Sequence, residues 1–183
     1  MKKILLIIFI ALSITSPVFA TDNRITIQPT PTPVAPIPVG YTLPYPGLLP
    51  GNPLYDFKVV RDKVVELFIT DPLKKSEFYL LSADKHLSAG IMLADQGRFT
   101  QSEQMISKGE NYLVMSFAQA QKAKQATEAT DEILNTLDLS TQKHQEVIKT
   151  LLQKAPESTK PGLENDLKRA QDLEKSVTQA KIK

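Results

Sequence analysis

QSEQMISKGENYLVMSFAQA, residues 101–120, sets Ile106, Gly109, Leu113, Phe117 and Ala120 at steps of three and four with polar residues between them. A helix completes a turn in 3.6 residues, so these five share one face, whereas a strand's period of two would scatter them. The stretch therefore reads as an amphipathic helix with one buried stripe. Just before it, Gly97 is placed as a helix stop, and Thr100-Gln101-Ser102-Glu103 fits a capping box that starts the helix near Gln101.

The same periodicity extends in both directions. Upstream, Leu73, Leu80, Ala83, Leu87, Ile91 and Ala94 keep one face to about Asp95, widened by Phe78 and Leu81. That helix begins at Thr70-Asp71-Pro72, with Asp71 or Thr70 as N-cap and Pro72 in the first turn, where its missing N–H costs nothing. Before it, Leu54, Phe57, Val60, Val64, Leu67 and Phe68 fall on one face of a first helix. Downstream, Ile133, Leu137, His144, Val147, Ile148 and Leu151 give a segment ended by Pro156, and Leu163, Leu167, Ala170, Leu173, Val177 and Ala180 give the last. Residues 121–132 are polar without Pro or Gly, so the chain there either continues as helix or breaks near Thr127 or Thr130. The expected fold class is all-α, an antiparallel bundle of four to five helices joined by short connections.

The ends of the chain differ from its body. Lys2 and Lys3, the apolar run from Ile4 to Ile14, and Pro17-Val18-Phe19-Ala20 with small residues at −3 and −1 read as a cleavable signal peptide over 1–20. An uncleaved anchor is the alternative, although the run is about half of the ~20 apolar residues that a membrane-spanning helix needs. An extracytoplasmic protein is expected: secreted, periplasmic or associated with the cell surface. Residues 21–53 hold nine of the 13 prolines. Residues 21–40 read as an extended tether, and the apolar Leu43, Tyr45, Leu48 and Leu49 make 41–53 an ordered lead-in that packs on the helical domain, 54–183.

Charge and composition remove several functions. The formal net charge is +2, and Lys2 and Lys3 are the only charged residues before Thr21, so the chain after the signal carries 2 − 2 = 0. Without a basic excess, nucleic acid is not an expected partner. There is no cysteine, hence no disulfide, thiolate metal site or thiol nucleophile.

The stretch Tyr45-Pro46-Gly47-Leu48-Leu49-Pro50-Gly51-Asn52-Pro53-Leu54-Tyr55, followed by Lys58 and then by Asp71-Pro72 with Lys75 and Leu80, resembles a family of exported bacterial domains of unknown function. Its hallmark is L-P-G-x-P-L-Y-x-x-K. The segment from Lys143 through Leu152 to Glu164 resembles a helical extension that accompanies it. The resemblance implies an extracytoplasmic helical domain, which also occurs beyond the membrane span of some anti-sigma factors, with no reaction, cofactor or catalytic residue to carry over. In physical terms, Pro50 and Pro53 stiffen the approach to the first helix, Gly51 allows the turn, and Leu54 and Tyr55 clamp the lead-in against the bundle.

Candidate chemistry is sparse. His86 and His144, with Asp84 or Glu146, are the residues from which a metal site would be made if their helices faced each other, but no Glu-x-x-His occurs. Met92, Met105 and Met115 read as core fillers. Asp131 and Glu132 are consecutive and diverge around a helix. No G-x-S-x-G turn or glycine-rich phosphate loop is present. No catalytic, cofactor-binding or metal-binding residue is therefore assigned, and no cofactor. The expectation is a non-catalytic envelope module that binds a protein or wall component. The alternatives are a small-ligand or metal-sensing domain, and self-association through the last segments, whose apolar spacing approaches a heptad.

Overall fold

The computed structural model describes residues 39–126 and 129–182, all within the second of two units into which the chain divides, Ile37–Lys183. The signal peptide expected at 1–20 and the expected tether up to residue 38 lie outside the described residues. Five helices follow in order: α1 Tyr55–Phe68, α2 Pro72–Asp95, α3 Phe99–Gln125, α4 Asp131–Lys154 and α5 Lys160–Ile182. The class is all-α, and no helix among the described residues is long and apolar enough to cross a membrane.

Local chemistry explains most of the boundaries. Asp71 accepts a hydrogen bond from the Lys74 N–H at 2.7 Å, and Pro72 fills the first turn of α2. α2 ends at a left-handed Gly97, φ 75°, where the Gly97 N–H bonds Ala94 O at 2.8 Å and the Arg98 N–H bonds Leu93 O at 2.9 Å. This pair of bonds is a Schellman motif, which satisfies carbonyls that the helix end leaves free. α3 starts two residues earlier than expected and without the capping box: Arg98 is the N-cap and makes no capping bond, its guanidinium donating instead to the Gln101 side chain. With the helix opening at Phe99, Thr100 lies inside the first turn rather than at the cap, and Ser102 Oγ bonds Gly90 O across to α2 at 2.7 Å. The polar stretch does break, with α3 ending at Gln125 and α4 opening at Asp131. Pro161 and Gly162 lie inside the first turn of α5, beyond the turn at Pro156.

Helices α2 to α5 form the bundle, as two hairpins, α2 on α3 and α4 on α5, packed against each other. Close approach of α2 and α3 rests on small residues. Ser76 and Ser116 bond each other's backbone oxygens at 2.8 and 2.7 Å, and a Cβ on Gly90 would stand 2.6 Å from Ile106 Cγ1. Two large apolar clusters fill the interior, beside a smaller one of Ala89, Leu93 and Met105. One gathers Leu80, Leu113, Phe117, Leu134, Leu137 and Val177; the other gathers Leu87, Ile106, Ile148, Leu151 and Leu163. The last helix, read as a possible self-association seam, is spent on this core: Leu163, Ala170, Leu173 and Val177 are all buried.

The lead-in is ordered. Leu43 and Leu49 pack against the bundle, Arg98 Nη2 holds Pro50 O at 2.6 Å, and Gly47 and Gly51 take left-handed conformations. Tyr45, however, is exposed, and so is Leu54, so the expected clamp is carried by Tyr55 alone, whose hydroxyl reaches Met105 Sδ at 3.6 Å.

The first helix differs most from expectation. α1 makes none of the extensive helix–helix contacts, and no residue of it is buried. Tyr55, Lys58, Asp62, Glu66 and Ile69 turn toward the bundle, while Phe57, Val60, Val64, Leu67 and Phe68 turn to solvent. Phe57, Leu67 and Phe68 are 73, 77 and 78% exposed. Periodicity identifies an apolar face but not its partner, and here the polar face is the one that meets the protein. The Tyr79 hydroxyl donates to Glu66 Oε1 at 2.8 Å and Lys58 Nζ donates to Pro46 O at 3.2 Å.

Candidate functional site

Between the two apolar clusters lies a layer of ionisable side chains, one or more from each bundle helix: Asp84 on α2, Glu110 on α3, His144 on α4 and Asp166 on α5. His144 is fully buried, with Nδ1 2.6 Å from Glu110 Oε1 and Nε2 3.4 Å from Asp84 Oδ1. Ser140 Oγ donates to Asp84 Oδ1 at 2.7 Å, and the Tyr41 hydroxyl of the lead-in donates to Asp84 Oδ2 at 2.6 Å. Asp166 Oδ1 takes a bond from Arg169 Nη2 at 2.5 Å. Glu110 Oε2 and Asp166 Oδ2 have no hydrogen-bond partner among the described residues.

The electrostatics follow from burial and pairing. Burial pulls the His144 imidazole down, but the Glu110 and Asp84 carboxylates outweigh it and lift it to about 9. The ring is therefore an imidazolium at neutral pH, donating through both nitrogens. Asp166 is pushed up to about 6, mainly by burial, against the pull of Arg169 and with the help of Glu110 and Glu103. The Tyr41 hydroxyl is raised, first by burial and then by Asp84.

The residue types of a serine-hydrolase triad meet here, but their bonds run differently. Ser140 donates to the carboxylate rather than to the imidazole, no nitrogen of His144 is free to accept its proton, and Ser140, Asp84 and His144 are sealed from solvent. Among the described residues, no group of three His, Asp or Glu side chains is arranged to hold a metal ion.

A second feature is an open cleft of about 330 Å³ between α1 and the α2/α3 hairpin. Tyr55, Lys58, Asp62 and Glu66 form one wall, and His86 and Tyr112 stand on the other. His86 Nδ1 donates to Ser82 O at 2.7 Å, and burial holds its pKa below the ordinary value. Burial likewise lowers Lys58 and raises Tyr112. The walls mix charges of both signs with aromatic rings and select no ligand class by charge.

The residues considered from sequence thus separate. His86 borders the cleft and His144 lies in the core, on either side of Gly109, where an added Cβ would stand 3.4 Å from His86 Cβ and 3.6 Å from His144 Cε1. Asp84 does meet His144. Glu146 is elsewhere, accepting bonds from Lys143 and the Val39 N–H. Met105 is buried, Met115 borders the cleft, and Asp131 and Glu132 open α4. Glu110 and Asp166 were not singled out, although a signal existed. Glu110 falls four residues after Ile106 and three before Leu113, and Asp166 three after Leu163 and four before Ala170. An ionisable residue in register with an apolar stripe is a buried charge that needs a partner.

A family model described as a domain of unknown function, DUF5667, matches residues 47–158. No curated protein and no solved structure matches the chain.

Proposed function

The chain belongs to the DUF5667 family, and from that premise we propose that it is a non-catalytic, exported helical module that works by association, through α1, with a protein or wall component of the cell envelope. The observation that carries this reading is the outward apolar face of α1, because an amphipathic helix held to its own protein by its polar side leaves its apolar side for another surface. The sealed imidazolium layer supports a structural use of the ionisable residues, and residues 1–20 support export. The test is saturable co-sedimentation of the purified protein with an envelope fraction, abolished by Val64→Glu. Absence of saturable binding would sink the reading.

A second reading, a sensor of a small ligand or metal like the outer parts of anti-sigma factors, is favoured by the cleft beneath α1. Thermal shifts across divalent metals and small envelope metabolites, lost in Tyr112→Ala but kept in Val64→Glu, would select it.

A further inference from the structure

The outward face of α1 has a spacing that its exposure alone does not require. Phe57, Val60, Val64 and Leu67 follow one another at steps of three, four and three, which is two heptads of an a/d seam, with Phe57 and Val64 at a, and Val60 and Leu67 at d. A β-branched residue at a with leucine at d favours two parallel strands, and the second heptad has that pair. The flanks complete the pattern. Asp56 and Lys63 fall at g, and Arg61 and Phe68 at e. In a parallel in-register pair, g of one helix meets e of the next heptad on the other. Asp56 then faces Arg61 of the second copy, and the Lys63 stem lies over Phe68. An antiparallel pair sets g beside g and e beside e, which loses the Asp56–Arg61 match.

Resting on the association reading above, we propose that the α1 face takes a second copy of this chain, in parallel and in register. The geometry admits it, since the bundle lies on the opposite side of α1 and the polar stripe from Tyr55 to Ile69 stays attached. Arg61 and Asp56 are exposed, and among the described residues Arg61 pairs only with its half-buried neighbour Asp62, at 2.6 Å. A lipid surface fits less well. Asp56, Asp62 and Glu66 cancel Lys58, Arg61 and Lys63, leaving no cationic excess for anionic headgroups. Two 14-residue helices make a small interface, so the dimer is a weak, concentration-dependent one.

Sedimentation equilibrium of the purified protein from about 5 to 500 µM is expected to show the mass doubling. V64E should stay monomeric with an unchanged melting curve, because residue 64 touches no core. R61D alone should weaken the dimer about tenfold, and D56R/R61D should restore it. The chain has no cysteine, so L67C gives a clean register test: mild oxidation should crosslink L67C to itself. A monomer at every concentration, a dimer indifferent to V64E, or L67C crosslinking only to F57C would overturn the proposal. If the protein is monomeric yet binds the envelope fraction in a V64E-sensitive way, or binds vesicles of anionic lipid through this face, self-pairing falls and association through α1 stands. If it neither dimerises nor binds, both fall.

Discussion

His144→Ala is expected to destabilise the bundle by about 3–5 kcal/mol, because it removes the one cation between two buried carboxylates and leaves Glu110 and Asp84 without a counter-charge. For a domain of this size that is a fall in Tm of roughly 10 °C or more. Chemical denaturation at pH 7 checks it, and a loss under about 1 kcal/mol would mean that the layer is not an ion pair. The pH dependence gives an independent readout. His144 is raised from 6.5 to about 9 in the folded state, so its contribution is fully present below pH 6.5 and is lost as pH rises through 9. Asp166, raised from 3.8 to about 6, works in the same sense over a lower window, its contribution present below 3.8 and lost as pH rises through 6. Stability of the wild type should therefore decline between pH 6.5 and 9, and the His144→Ala variant should lose that slope while keeping the change below pH 6.

Leu113→Ala is expected to cost about 3–5 kcal/mol for a different reason. Leu113 is fully buried among Leu80, Leu134, Leu137 and Leu173, drawn from the three other bundle helices, and the surrounding side chains cannot all relax into the space left by the three missing carbon atoms. Leu67→Ala on α1 deletes the same atoms and should change stability by under about 0.5 kcal/mol, since Leu67 is 77% exposed. Urea titration of the two variants side by side measures the contrast. Equal losses would place α1 in the core.

The two leucines mark how far the chain could be read without its fold. Each occupies a helical register position in an apolar stripe, and nothing local distinguishes them. Asp71 with Pro72, and Gly97, were legible as helix boundaries because a cap or a left-handed turn depends on a few adjacent residues. Thr100 and Glu103 carried an equally good local signal and did not form a box, because the helix opens earlier, at Phe99, and takes Thr100 into its first turn. The imidazolium layer was half legible. The sequence offers His144 and Asp84 as possible partners, but only the geometry joins them to Glu110, adds Tyr41 and Ser140 on Asp84, and leaves His86 outside.

The sequence by itself determined that this protein is helical, where most of its helices begin and end, and which residues each helix gathers on one side, since all of these follow from periodicity and from caps a few residues long. Which side meets which was decided only by the tertiary structure. Four apolar stripes close on one another around a charged layer, and the fifth, on α1, is left facing outward because Tyr55, Lys58 and Glu66 hold that helix by its polar side. Burial is a property of the partner as much as of the residue, and no partner is written in a single helix.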